Sequence, residues 1–199
     1  MQKPGSRIYL CKPEQMERIS TQDGENALFL CAGQPRQNTL DYCAFPEDTD
    51  LAVMFNFVQR LFDRLDEWSQ RLKEIAENGD DCAELLESAA GMLQNPVWLC
   101  DERWHVVARA ERFFPEDGLE SFVASYKMLE EKTRCLPEGT TIRLAQPEGN
   151  ELLGVTLLAG GALFTLVCAA RERTFYASDE TVFAYLTGYV KLMLSERKT

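Results

Sequence analysis

The single histidine of the chain, His105, limits the chemistry that its side chains can perform. A Ser-His-Asp or Cys-His centre needs a histidine as its base, so any such centre would have to use this residue. The sequence has no glycine-rich dinucleotide loop, no P-loop, no Gly-x-Ser-x-Gly elbow and no His-Glu-x-x-His motif. We therefore expect no catalytic residues and a protein that is not an enzyme.

The chain has seven cysteines, whose thiols could act as nucleophiles. They lie at positions 11, 31, 43, 82, 100, 135 and 168, so none forms a CxxC pair. Most lie in apolar runs, where a reduced cysteine acts as a small hydrophobic residue. Scattered cysteines and one histidine predict no metal site and no cofactor. Reduced cysteines without a secretory signal predict a cytoplasmic protein.

The polar pair with the best spacing for ligand binding is His105 and Arg109. A strand is predicted from His105 to Ala110, after a polar turn at residues 101–104. Strict alternation places His105, Val107 and Arg109 on one face, and Val106, Ala108 and Ala110 on the other. A carboxylate or amide ligand could bridge His105 and Arg109.

The net charge of −11 and the lack of a basic cluster separate the chain from nucleic-acid-binding proteins, which need Lys and Arg on phosphates. We expect no direct nucleic-acid contact. The uncharged stretch from Leu152 to Ala170 is long enough for a membrane helix. Gly160-Gly161 near its middle instead predicts a two-residue hairpin turn, and we expect no membrane contact. The predicted register pairs Leu157 with Phe164, Val155 with Leu166, Leu153 with Cys168, and Thr156 with Thr165.

The elements that must position these residues fall into three predicted segments. Residues 1–48 form a small α/β piece with strands at 7–11, 27–32 and 42–45, and a helix from Pro13 to about Ser20. Residues 49–94 are a helical linker and dimerisation segment, with Thr49 and Asp81 as helix caps. Residues 95–199 hold two strands, a helix over 119–133, a three-stranded meander and a last helix from Ser178.

An apolar seam in the linker carries the prediction of a homodimer. Its residues alternate steps of three and four, as in a heptad repeat, for more than three repeats. The seam consists of Leu51, Met54, Val58, Leu61, Leu65 and Trp68, and continues to Leu72 and Ile75. Phe55, Phe57 and Phe62 widen this stripe and favour partial burial within the chain, so a plain core helix is the alternative. The last helix carries a matching stripe of Phe183, Leu186, Val190 and Met193.

The order of elements from Asp81 onward resembles a GAF domain, a sensor module related to PAS. The segment from Gln94 to Asp101, NPVWLCD after its glutamine, is similar to the start of the sensor region in PucR/CdaR-like bacterial transcription regulators. The segment from Phe55 to Phe62 is similar to the helix before that sensor. The resemblance implies an α+β fold, a GAF/PAS-like antiparallel sheet flanked by long helices. The helix-turn-helix usual in such regulators has no counterpart in this sequence.

The same resemblance implies that the chain is a ligand-sensing and dimerising regulatory domain. One sheet face would then bind an unidentified small molecule under a helix and loops. The residues that this implies for the pocket are Trp104, His105, Arg109, Phe113, Phe114 and Tyr126; for each aromatic alone, plain core is the alternative. Two other functions stay open: a pure oligomerisation domain without a ligand, and a GAF-fold thiol reductase that would use Cys100, Cys135 or Cys168.

Overall fold

The chain is an α+β protein whose helices and strands divide into two compact units, residues 1–67 and 68–199. The computed structural model describes residues 7–16, 18, 27–35, 42–78, 81–113, 129, 131–132, 137–145 and 151–196. The helices are α1 (Pro13–Met16), α2 (Leu51–Asn78), α3 (Cys82–Leu93) and α4 (Ala177–Glu196). The strands are β1 (Arg7–Cys11), β2 (Ala27–Ala32), β3 (Tyr42–Phe45), β4 (Val97–Asp101), β5 (Val106–Arg109), β6 (Ile142–Ala145), β7 (Glu151–Ala159) and β8 (Ala162–Ala169).

The first unit contains a three-stranded parallel sheet in the order β1-β2-β3. Its three strands confirm the predicted ranges. The central strand, β2, is buried on both faces because each face has its own apolar cluster. One cluster includes Met16 of α1 with Phe29 and Cys31, and the other joins Leu30 to Met54 of α2. The predicted continuation of α1 to about Ser20 lies mostly outside the described residues.

Helix α2 runs without interruption for 28 residues, or about 42 Å. Its cap differs from the predicted one. The carboxylate of Asp50, not the side chain of Thr49, accepts a hydrogen bond from the Ala52 amide, with 2.7 Å between Oδ1 and N. Asp is as good a cap as Thr, and its position immediately before the first turn decides which residue is used.

The predicted α2 seam splits into buried and exposed positions. Met54 and Trp68 are buried, Val58 and Leu65 are half-buried, and Leu51 and Leu61 are exposed. The three phenylalanines that favoured burial in the sequence, Phe55, Phe57 and Phe62, are also exposed. The buried positions are those that the core covers. The seam therefore contains both core residues and exposed residues.

The second unit is built on a five-stranded antiparallel sheet in the order β5-β4-β8-β7-β6. One face packs against α3, α4 and the last part of α2, which contributes Trp68, Leu72 and Ile75 to this core. The predicted boundaries at residues 48 and 94 therefore differ from the packing. The segment 49–94 is divided within α2, and all of α3 belongs to the core of the sheet.

The β7–β8 hairpin has the predicted register at every one of the four pairs. Gly160 and Gly161 form the turn with φ values of +57° and +79°, a conformation that glycine adopts without strain. Among the described residues, no helix is long and apolar enough to cross a membrane.

Helix α4 begins at Ala177, one residue before the predicted start. Its stripe of Phe183, Leu186, Val190 and Met193 is almost completely buried in the core of the second unit. These four side chains are therefore core residues, which corrects their assignment to a dimer seam. The sheet covers them because α4 packs along β7.

Candidate functional site

A β-bulge in the β4–β5 pair changes the faces of the predicted ligand-binding strand. Leu99 pairs with Ala108 and Cys100 with Val106, so Val107 is an extra residue between the two pairs. A bulge of this kind turns two successive side chains toward the same face. Val107 and Ala108 both line the helix side of the sheet, and the strict alternation predicted from the sequence is interrupted there.

His105 and Arg109 are exposed, and each lies beside a carboxylate. The His105 side chain is 74% exposed, with its Nδ1 3.5 Å from Asp101 Oδ2. The Arg109 side chain is 46% exposed, with its Nε 2.9 Å from Glu111 Oε1. Ion pairs at such exposed positions contribute little to stability. Neither side chain belongs to the apolar cavity described below.

Asp101 holds the turn that carries His105. Its Oδ1 accepts hydrogen bonds from the backbone amides of Arg103 and His105, at 2.9 and 2.8 Å. Partial desolvation acts to raise the pKa of Asp101, but these bonds and the His105 side chain outweigh it and hold the pKa below its usual value. Trp104 takes a positive φ of +65° inside this turn, which is uncommon for a bulky residue. The Asp101 carboxylate therefore stabilises this turn through backbone amides.

The aromatic residues predicted for the pocket are not brought together. Trp104 packs against the cluster on the face of the sheet opposite the helices, together with Trp98 and Leu152. Phe113 packs against the helix-side core. Phe114 and Tyr126 lie outside the described residues. The sheet thus separates Trp104 from Phe113, and one ligand cannot contact both.

A cavity of about 240 Å³ lies on the helix side of the sheet, at the end formed by the β7–β8 turn. The first residue of α3, Cys82, and the last turn of α4, through Leu194, form one wall. The bulge residue Val107 contributes to the opposite wall. The full lining is apolar and consists of Cys82, Leu99, Val107, Ala108, Ala159, Ala162, Phe164 and Leu194.

The lining of this cavity determines what it can accept. It includes no charged side chain, and the thiol of Cys82 is directed at Met193, with 3.5 Å between Sγ and Sδ. The cavity is partly open to solvent, since its lining residue Val107 is half exposed, and its apolar side chains suit a small hydrophobic molecule. The site therefore suits a compact apolar group, and it has no arrangement of groups for acid–base or nucleophilic chemistry.

The cysteines of the sheet do not have the surroundings of reactive thiolates. Burial raises the pKa of Cys100 to about 12, and the nearby Asp101 adds to this effect. Burial also raises the pKa of Cys168, chiefly because it is fully enclosed. A catalytic thiol needs exposure and a lowered pKa. Cys135, the third candidate for a thiol reductase, lies outside the described residues.

Sequence reasoning missed the cavity, although one signal was present. Three alanines, Ala108, Ala159 and Ala162, lie at sheet positions next to large apolar residues. Each small side chain removes volume from the same end of the sheet, but only the register of four strands shows that they converge.

A scan against protein-family models matches no family, and a search of curated proteins finds no relative of this chain.

Proposed function

We propose that this chain is a ligand-sensing and dimerising regulatory domain of a bacterial transcription regulator, with a GAF-like sheet in its second unit. The support from the fold is the order of elements: a helix, two strands, a three-stranded meander and a final helix around one antiparallel sheet. This order is the one implied by the resemblance to PucR/CdaR-like sensor regions. Residues 129, 131 and 132 are helical in the position of the middle helix.

The observation that carries the sensing proposal is the position of the cavity. Its wall joins the first residue of α3 to the last turn of α4, so an occupant touches the helix that enters the sheet core and the helix that leaves it. A ligand can shift a two-state packing only if it binds one arrangement better than the other. A group that fills this gap stabilises the arrangement in which α3 and α4 close around it.

The dimerising part of the proposal is supported by the unburied apolar side chains of α2. Leu51, Phe55 and Phe62 lie within about 40° of one another around the helix axis, counted at 100° per residue, and all three are exposed. Their spacing of four and seven residues continues through half-buried Leu65 as a heptad stripe. A second copy of α2 packed on this stripe would remove it from water.

The cavity is tested with benzene and toluene as probes, because apolar cavities of similar size take up such molecules. We expect each probe to raise the melting temperature of the full chain by on the order of 3 °C at ten times its dissociation constant. Ala162→Leu places three additional carbons at the cavity wall and should abolish the shift. The matched control is Ala184→Leu, an exposed position on α4 outside the cavity.

The two variants separate the alternatives. A probe-induced shift that survives in Ala162→Leu contradicts the assignment of the site. The absence of any shift in the wild-type chain, with a dimer still present by sedimentation, would favour the pure oligomerisation domain instead. The free energy of unfolding of the control variant should lie within about 1 kcal/mol of the wild-type value, because exposed substitutions in helices change stability little.

A further inference from the structure

Three sulfur atoms lie in contact inside the first unit. Cys11 and Cys31 are paired across the parallel strands β1 and β2, and their Sγ atoms are 3.3 Å apart. The Sγ of Cys31 is also 3.2 Å from the Sδ of Met16. Cys31 has no exposed surface, Met16 is 2% exposed and Cys11 is 5% exposed, so all three residues of the cluster are buried.

The backbone geometry at this pair suits a covalent bond. Directly opposed residues of neighbouring strands have Cα atoms about 5 Å apart, within the range that disulfides span. The two sulfurs need to approach by only about 1.2 Å to reach the bonded distance of about 2.05 Å. Rotation about the two Cα–Cβ bonds can supply that movement while the strand register is retained.

The surroundings of Cys31 favour the protonated form of its thiol. Burial raises the pKa of Cys31 to about 12, and its contact with Cys11 adds to the shift. A thiol of this kind forms little thiolate near neutral pH and is a poor first nucleophile. Cys11 is the less completely buried of the two residues, and we expect oxidation to begin there.

We propose that Cys11 and Cys31 are a modification site that forms a reversible disulfide between β1 and β2 in response to a hydroperoxide. The Cys11 thiol is first oxidised to a sulfenic acid, as the peroxide O–O bond breaks and releases an alcohol or water. The Cys31 sulfur then displaces hydroxide from the sulfenic acid, and its proton leaves with that hydroxide as water. Two electrons pass from the two sulfurs to the peroxide.

The proposal is independent of ligand sensing, because all three sulfurs belong to the first unit. The disulfide would close a loop that contains α1 and would restrict the unfolded chain. It would therefore stabilise the first unit without contributing to the cavity in the second. The exposed thiol of Cys43 on β3 is a competing site and must be removed.

The test uses the full chain with Cys43→Ser, treated with hydrogen peroxide, alkylated under denaturing conditions and mapped by mass spectrometry. We expect a Cys11–Cys31 cross-linked peptide, a loss of 2 Da from the intact chain before alkylation, and recovery of both thiols with dithiothreitol under native conditions. The oxidised first unit should melt at least about 5 °C higher than the reduced one.

The control variant, Cys43→Ser with Cys31→Ser, removes the resolving thiol and leaves Cys11 in place. In it, dimedone should trap Cys11 as a sulfenic acid, and circular dichroism should show an unchanged fold. If serine unfolds the unit, Cys31→Ala serves the same purpose. The proposal is overturned if peroxide leaves Cys11 and Cys31 as thiols while Cys43 of the wild type is oxidised, or if Cys11 reaches the sulfinic acid without a cross-link.

Discussion

Asn95 shows how one buried amide organises the connection between β8 and α4. Its side chain has no exposed surface, and its Oδ1 accepts from the backbone amides of Arg171, Glu172 and Arg173 at 3.0, 3.0 and 3.3 Å. Its Nδ2 donates to the Arg173 carbonyl at 3.0 Å. The amide thus satisfies both donor and acceptor groups of a loop far away in sequence, which is how buried polar residues are normally accommodated.

Replacing this amide should cost the chain much of its stability. We expect Asn95→Ala to lower the free energy of unfolding by about 2–4 kcal/mol, because the Glu172 and Arg173 amides then lose this acceptor in a part-buried contact and the Arg171 amide keeps the Ala169 carbonyl. Urea denaturation followed by circular dichroism measures the change. Asn56→Ala, at an exposed position of α2, is the control and should remain within about 0.5 kcal/mol of the wild type. A loss below 0.5 kcal/mol in Asn95→Ala would contradict the clamp.

At the scale of elements, β7 is the strand on which the two faces of the large sheet depend. Its residues alternate between the helix-side core, with Leu153 and Val155, and the opposite cluster, with Leu152. Gly154 also faces the opposite cluster, where Leu129 lies directly over it. A Cβ atom at Gly154 would lie 2.5 Å from Leu129 Cδ1. The missing side chain lets Leu129 approach the strand, and this contact closes that face.

A side chain at Gly154 should therefore loosen the packing of Leu129. We expect Gly154→Ala to destabilise the chain by about 1–3 kcal/mol, since overpacking forces neighbours out of their preferred positions. Adding Leu129→Ala to this variant should give a smaller total loss than the sum of the two single changes.

The control for this prediction is another glycine. A Cβ atom at Gly188 of α4 would meet no neighbouring atom within 4 Å, so Gly188→Ala should stabilise the chain by about 0.5–1 kcal/mol. Strict additivity of the Gly154 and Leu129 changes in thermal or urea unfolding would show that the two residues are not coupled.

At the scale of the whole molecule, the chain consists of two compact units, and α2 contributes residues to each of them. The part of α2 before residue 68 packs through Met54 on the parallel sheet, and the part from Trp68 onward joins the antiparallel sheet core. The helix thus has core residues at both ends of its length. Its exposed stripe of Leu51, Phe55 and Phe62 belongs to the first unit.

In the proposed homodimer, this stripe forms the interface between the two copies. We expect Phe55→Glu with Phe62→Glu to convert a dimer into a monomer at tens of micromolar protein, because two charges would be desolvated in the interface. Analytical ultracentrifugation measures the mass, and circular dichroism checks the fold. The control places the same two charges on polar positions of α2, Asn56→Glu with Gln70→Glu, and should remain dimeric. A monomeric wild-type chain at this concentration would refute the dimer.

Local patterns in the sequence were sufficient for most secondary structure and for the register of the hairpin. Gly160-Gly161 determines its own turn, and the period of two then sets each pair from Leu157–Phe164 to Leu153–Cys168. The cap at Asp81 was also predicted from residues close together in the chain, and the Asp81 carboxylate accepts a hydrogen bond from the Ala83 amide at 2.9 Å. These features depend on residues that are neighbours in the chain, so the local sequence is enough to predict them.

The tertiary structure alone decided which apolar stripes are core and where a cavity lies. The stripes of α2 and α4 have the same spacing, yet Phe183 is buried and Phe62 is exposed, because burial depends on which other element covers a helix. The bulge at Val107 interrupts the alternation of side chains predicted for β5, and the cavity needs side chains from six separate elements. Such features arise from contacts between distant segments, and a periodic pattern of residues cannot specify them.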